Sequence, residues 1–460
     1  MAPVGRKNCI RTLPLDILGN LPDDVIDHIL IRMPLQDAVR TSILSRKWRY
    51  TWCRIPQLTL DRTLWKMHQP AYFETIIRHI LNHHRGPVKH FTLLIPYSEQ
   101  FSYFIQLLGF LIENGIEHLN IKFSYRTTPY KLPALFFKCV LLRHLSLEDC
   151  SINHPTAYPG FDRLLCLKLY IVTIKYTLFG TLISQCPLLE QLVLLLLDNQ
   201  SGVIFIDAPK LKSLDFTGRV WAISLRNVPL LAQVSFAFRG GLVLEAIPDY
   251  TRVLESLSAV EHLHLDNHSL KLMAAGAGDV PTNLPFLVGC VKNLYLSGLY
   301  LGELYYVSCA LSLMKSFPCL EHMEIKVESC CVPMARDNID LEASFVETTF
   351  INLRKIVIRR LRGISPHMQL LKLLVAKSPA LAKITIEVLT NVDYKVLRSA
   401  IENFEFRCTS PVAEFHIPKY FYEYLPESHS TAVLHYDGEP WFMEINIGSG
   451  DGPKTVGNIL

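Results

Sequence analysis

The sequence predicts an α/β protein, with a small three-helix unit at its N-terminus followed by a long, irregular solenoid of stacked strand-bearing repeats. Two observations predict it. Between residues 21 and 60 apolar side chains recur at helical spacing and are interrupted by a proline. From residue 88 onward one short pattern, apolar-x-x-apolar-x-apolar, returns about every 20–33 residues, roughly twelve times.

The helical stretch reads in order. Leu21 and Pro22 open the first helix, since a proline loses nothing in a first turn whose N–H groups have no partner. Asp23 and Asp24 follow where the helix dipole favours negative charge. Val25, Ile26, Ile29, Leu30 and Met33 share one face, and Pro34 ends the helix. Leu35, Ala38 and Val39 begin a second helix; Leu44, Trp48 and Trp52 mark a third. About forty residues lie near the lower limit for a core that stands alone, so this unit should dock on something.

A connecting helix is expected over Tyr72, Ile76, Ile77, Ile80 and Leu81, before Arg85-Gly86-Pro87. The repeats then begin at Val88, Ile116, Leu142, Leu164, Leu189, Leu211, Leu231, Val260, Val291, Leu320, Leu353 and Leu381. Alternation along a short strand turns the fourth and sixth positions inward and the third, fifth and seventh outward. Each unit buries three aliphatic side chains at about 1.5–3 kcal/mol apiece. Ordering its backbone costs roughly 1–2 kcal/mol per residue, so no unit holds itself and stacking is obligatory. Spacing of this kind is the signature of a leucine-rich repeat. Helices are expected between strands over Phe101–Leu111, Leu178–Ile183, Tyr250–Leu257 and Leu311–Met314. The units at Leu189 and Leu211 are too short for one, so their outer side should be irregular or extended.

In such repeats the outward positions face the concave surface of a horseshoe. The third position holds His90, His118, His144, His262 and His322, with Gln191, Gln233, Asn293, Lys355 and Lys383. Asn120, Lys168, Asp215, His264, Tyr295 and Glu324 lie alongside at the fifth. This polar face is the candidate surface for binding a target protein, chiefly through His90, His118, His144, His262, His264, Tyr295 and His322.

Leu-Pro-x-Asp at 21–24, Ile29-Leu30, Met33-Pro34-Leu35-x-Asp37, Ser42 and Ser45-Arg46-x-Trp48-Arg49 together resemble the F-box. Phe350-x-x-Leu353-x-x-Ile356-x-Ile358, Leu361-Arg362-Gly363, a helix with Ser365 as cap and Met368, Leu371, Leu374 and Val375 as its buried face, then Ser378-Pro-Ala-Leu381 are similar to the plant FBD domain. The helix lacks the acidic residues usual in that domain, carrying Pro366-His367-Met368-Gln369 instead. His84-Arg-Gly-Pro87, Cys186-Pro-Leu-Leu-Glu190 and Ala208-Pro-Lys-Leu211 also look like the plant F-box/LRR/FBD family. The resulting division is a tail at 1–14, an F-box at 15–60, the solenoid with its helical connector at 61–345, an FBD-like α/β segment capping it at 346–425, and a polar, glycine-rich tail at 426–460, expected to be mobile.

The resemblance implies a substrate receptor of a ubiquitin ligase. Leu21, Pro22, Ile26, Ile29, Leu30, Leu35, Val39, Trp48 and Trp52 would meet a Skp-type adaptor and, through it, a cullin. The hormone-receptor F-box/LRR proteins suggest a small-molecule co-receptor as the alternative, and a repeat scaffold outside any ligase is the third reading.

Composition agrees with an intracellular protein. Of 460 residues half are hydrophobic and 19% charged, too apolar for a disordered chain. A net charge of +4 does not point to nucleic acid or a membrane surface. No apolar run follows the basic N-terminus, and Leu192–Leu197 is too short to span a bilayer. Twelve cysteines without a Cys-x-x-Cys pair suit a reducing compartment, cytoplasm or nucleus.

Enzyme chemistry finds no constellation. His79, His83 and His84 lack the glutamate of a metalloprotease helix, and no cofactor is expected. Gly448-Ser-Gly-Asp-Gly452 has no helix to follow it, because Pro453 comes next. Cys330 and Cys331 have no patterned partner. Arg354, Lys355, Arg359, Arg360 and Arg362 form a basic cluster that could be a solvated strand edge or a site for an acidic group.

Overall fold

All twelve repeat starts lie two residues ahead of a strand, so the phase read from the pattern is the phase of the fold. The structure, a computed structural model, describes residues 21–61, 64, 72–95, 102–123, 128–153, 160–196, 203–218, 222–238, 257–270, 289–301, 304–328, 349–361, 365–388, 414–416 and 444–446. The chain divides into two compact units, Met1–Ile174 and Lys175–Leu460. The boundary falls inside the run of repeats, not at the end of the helical unit.

In the first unit, helices α1 (Asp23–Ile31) and α2 (Leu35–Arg40) form where the sequence places them, each entered through a proline. The expected third helix is not one. Thr41–Ile43 and Thr51–Arg54 are single 3₁₀ turns with irregular chain between them. Trp48 and Ile55 reach the core with Ile26, Leu30 and Ala38 by turns, not by helical periodicity. The connecting helix α3 (Phe73–His83) buries Phe73, Ile77, Ile80 and Leu81. Strands β1 (Gln57–Leu60), β2 (His90–Ile95), β3 (His118–Phe123), β5 (His144–Glu148) and β7 (Cys166–Tyr170) form a parallel sheet, with α4 (Phe104–Glu113) between β2 and β3. A second, three-stranded parallel sheet of β4 (Tyr130–Lys131), β6 (Cys150–Ile152) and β8 (Thr173–Ile174) runs on the outer side of the same repeats.

β1 is a repeat the pattern did not yield. Ile55-x-x-Leu58-x-Leu60 has the same spacing, its three apolar residues are 0–2% exposed, and Gln57 pairs with His90 in register. The helical unit therefore ends inside the sheet. Three contacts tie the seam: Arg85 and Gly86 N–H donate to Cys53 O at 2.7 and 3.1 Å, and His84 Nε2–H donates to Ile55 O at 2.9 Å. A Cβ on Gly86 would lie 2.5 Å from Arg54 O, so only glycine fits there.

In the second unit α5 (Tyr176–Ser184) precedes β9 (Gln191–Leu196), and β10 (Val203–Asp207), β11 (Ser213–Gly218), β12 (Ala222–Arg226), β13 (Gln233–Phe238), β14 (His262–Asp266) and β15 (Asn293–Leu299) follow. Then come α6 (Leu304–Lys315), β16 (His322–Val327), β17 (Lys355–Leu361), α7 (Ser365–Ala376), β18 (Lys383–Val388), β19 (Glu414–His416) and β20 (Glu444–Asn446). β9, β11 and β13 through β19 pair in parallel; β20 pairs antiparallel with β19 and falls in the expected tail. The short units at Leu189 and Leu211 carry strands, β10 and β12, in place of outer helices. The FBD-like segment continues the same sheet through β17 and β18, and α7 buries Met368, Leu371, Leu374 and Val375 as expected. Most of the helix expected at Tyr250–Leu257 lies outside the described residues, as does Gly448–Gly452.

Stacking is enforced by backbone and core together. In successive repeats the N–H groups of positions two and three both donate to the position-two carbonyl of the repeat before: Glu117 and His118 to Lys89 O, Lys292 and Asn293 to Glu261 O, Glu321 and His322 to Lys292 O. Fourth- and sixth-position residues are buried throughout the twelve repeats, from Phe91 and Leu93 to Ile384 and Ile386. Among the described residues no helix is long and apolar enough to cross a membrane.

Candidate functional site

Two surfaces qualify, one on each unit. On the first, α1 and α2 hold their apolar residues in two roles. Ile26, Leu30, Leu35 and Trp48 are 0–8% exposed and build the interior, with Leu21 and Trp52 packed against it. These four shape the helical unit from within and present no face of their own. Val25, Ile29, Val39, Ile43 and Leu44 are 36–87% exposed, and Pro22 is exposed beside them. Of the residues singled out in the sequence, then, Ile29, Val39 and Pro22 lie at the surface. Val25, Ile43 and Leu44 join them, and helical periodicity alone could not separate outward from inward positions once the third helix was absent.

His90, His118 and His144 stand directly opposite one another on β2, β3 and β5. Their rings stack, with centroids 3.9 and 4.2 Å apart and planes 15° and 10° from parallel. Burial, then the neighbouring His90 and His144, brings His118 down to about 4; Glu117 opposes this and Arg143 adds to it. His144 is lowered by burial first, then by His90, Lys168 and Arg143. Two stacked imidazoles cannot both carry charge cheaply, and His118 and His144 are neutral at neutral pH. Neutral imidazole can both donate and accept a hydrogen bond.

On the second unit the third- and fifth-position residues of β9, β11 and β13 through β17 line a groove of about 930 Å³. His262, His264, Asn293, Tyr295 and His322 are all on it. From the groove residues Asp215, Ser235 and His264 a chain of hydrogen bonds runs to Ser297, crossing four adjacent strands. Ser235 donates to Asp215, whose pKa is raised by burial and lowered in part by that bond. Ser235 Oγ lies 2.8 Å from His264 Nδ1, and His264 Nε2 lies 2.9 Å from Ser297 Oγ. Neutral His264 donates to one of these hydroxyls through one ring nitrogen and accepts from the other hydroxyl through its second nitrogen. Burial, helped by Lys326, brings His264 down to about 4, and Tyr295 stacks on its ring at 4.3 Å. Nearby, His322 Nδ1–H donates to Asn293 Oδ1 at 2.8 Å. Burial, then Lys355, lowers His322. Ser235 and Ser297 escaped the sequence reading because their partners lie 29 and 33 residues away.

Two members of the basic cluster, Arg359 and Arg360, are paired, and Arg362 lies outside the described residues. Arg359 donates to Glu324 at 2.5 Å and to both oxygens of Glu387 at 2.6 and 2.7 Å, and Arg360 contacts Glu328 at 3.1 Å. Burial disfavours the Arg359 charge, but the two carboxylates more than offset it. No arginine is among the described lining residues of the groove. Among the described residues no cluster of histidine, cysteine and carboxylate could hold a metal; His83 instead donates to His79 O at 2.8 Å.

Comparison with known proteins adds two family matches. Residues 18–58 match the F-box domain, and residues 105–325 match the family described as FBD-associated F-box protein At5g56370, LRR repeats. The chain is 30% identical over 414 residues to the F-box/FBD/LRR-repeat protein At1g13570 of Arabidopsis thaliana, covering 87% of this chain and 97% of that protein. It is 27% identical to the F-box/LRR-repeat protein At4g14103, covering 68% of this chain and 84% of that protein. It is 28% identical to F-box/LRR-repeat protein 25, covering 39% and 67%. Both are from the same plant.

Proposed function

Since the chain belongs to the F-box/FBD/LRR-repeat family, we propose that it is the substrate receptor of a Skp–cullin–F-box ubiquitin ligase, acting in the cytoplasm or nucleus. The observation that carries this reading is the pairing of an F-box that exposes Val25, Ile29, Val39, Ile43 and Leu44 with a repeat sheet that exposes a polar, hydrogen-bonding face. The apolar patch on α1 and α2 buries itself on a Skp-type adaptor and, through it, a cullin. The histidine column and the groove bind a target protein. Both offer hydrogen-bond donors and acceptors on a strand scaffold, which suits reading a folded surface. The chain supplies no chemistry of its own; its effect is to hold target and ubiquitin donor at high effective concentration.

Capture of a Skp-type adaptor by the full chain tests this. Aspartate at both Ile29 and Val39 should abolish capture, because buried interface anchors typically cost more than about 1 kcal/mol each when lost. The same variant should keep the melting temperature of the wild type, since both residues are exposed. Undiminished capture by a folded double variant would remove the ligase reading.

A further inference from the structure

Cys290 and Cys319 occupy equivalent places in neighbouring repeats. Each directly precedes the first apolar residue of its unit, Val291 and Leu320. Asn293 pairs with His322 in register, and the offset of 29 residues carries Cys290 onto Cys319. Both lie in the turn that enters the strand; for Cys319 it is closed by Leu320 N–H donating to Phe317 O at 3.2 Å. Both thiols are free and exposed, whereas Cys53, Cys139, Cys150, Cys166, Cys186 and Cys309 are buried.

Geometry at this rim suits a bond between them. Neighbouring strands lie about 4.8 Å apart. A disulfide spans Cα atoms about 4.4–6.8 Å apart with Cβ atoms about 3.5–4.5 Å apart. Equivalent residues of two in-phase turns have near-parallel Cβ directions, so a small tilt of one turn closes the gap. The space beside the first of these turns is open: a Cβ on Gly289 would meet nothing within 4 Å. Side chains here do reach the next turn, since Asn352, in the same place one repeat on, donates to Pro318 O at 3.0 Å.

We propose that Cys290 and Cys319 form a dithiol modification site that a disulfide oxidant, such as glutathione disulfide, converts reversibly into a cross-repeat disulfide. The thiolate of one cysteine attacks a sulfur of glutathione disulfide, releasing one glutathione thiolate and leaving a mixed disulfide. The second cysteine thiolate then attacks the protein-side sulfur of that bond, forming the Cys290–Cys319 bond and releasing the second glutathione. Two protein thiols are oxidised, one glutathione disulfide is reduced to two thiols, and the two thiol protons pass to the two glutathione thiolates. Three residues downstream the same two repeats present Asn293 and His322 on the groove, so the bond fastens the pair of strands that carries them.

The test treats the full chain with glutathione disulfide and maps its peptides without reduction. The expected product joins the Cys290 and Cys319 peptides within one molecule, with a mass 2 Da lower than the reduced pair, and a thiol reductant restores it. Cys290→Ser and Cys319→Ser should each leave the remaining cysteine as a stable glutathione adduct. Oxidation should raise the melting temperature of the wild type by several degrees and that of neither variant, because the bond closes the loop from 290 to 319. Separate glutathione adducts on both cysteines of the wild type would overturn the proposal. So would a bond from either of them to another cysteine or to a second molecule.

Discussion

Replacing His118 with asparagine should flatten the acid end of the stability curve. In the folded chain His118 titrates at about 4, from burial and then from the facing rings of His90 and His144. In the unfolded chain it titrates near 6.5. The folded value is the lower one, so between those pH values the unfolded chain binds the extra proton. Stability from this group is complete above pH 6.5 and is lost as pH falls toward 4. The full linkage would be about 3 kcal/mol, and the ring's partial exposure screens it to about 1 kcal/mol. Urea denaturation of both proteins from pH 7 to pH 4 reads the difference. The wild type should lose about 1 kcal/mol more than His118→Asn over that span, nearly all of it below pH 6.5. Binding of any target held by this column should weaken over the same interval. Parallel curves for the two proteins would show that the three rings do not share a charge-excluding stack.

Two other outcomes follow from packing. Gly86→Ala should destabilise by about 1–3 kcal/mol, because its Cβ has no room against Arg54 O, and tryptophan fluorescence should report the loosening near Trp48 and Trp52. Arg359→Met should cost about 1–3 kcal/mol at pH 7 by leaving Glu324 and Glu387 unpaired, and markedly less at pH 4, where the carboxylates can protonate; an equal loss at both pH values would mean the cost is packing, not charge.

The repeat phase was legible because two local rules agree. Alternation fixes which residues turn inward, and a one-residue slip would expose every one of them. That is why the strand beginning at His90 and the one beginning at Lys383 could be placed from sequence, and why the His90–His118–His144 column was found in advance. β1 escaped because Pro56 stands at its second position and the F-box resemblance already accounted for those residues. Proline is tolerated there because β1 is the edge strand of its sheet, so the missing N–H has no ladder acceptor to lose, and the Pro56 carbonyl still receives Lys89 and His90 N–H at 2.8 and 3.0 Å. The third helix failed for the opposite reason. Leu44, Trp48 and Trp52 keep a four-residue spacing that turns can also produce. The Asp215–Ser235–His264–Ser297 chain was out of reach, since bonds between strands some thirty residues apart leave no local trace.

The seam at residues 53–57 leaves no slack between the helices and the first strand. If, as we propose, β2, β3 and β5 grip a target, that protein is carried at a fixed bearing from α1 and α2, like a load on a bracket instead of one on a rope. Which of its lysines come within range is then settled by compass direction. A lysine on the far side cannot swing into place, however long the grip lasts, so two proteins held equally tightly can differ completely in whether they are marked.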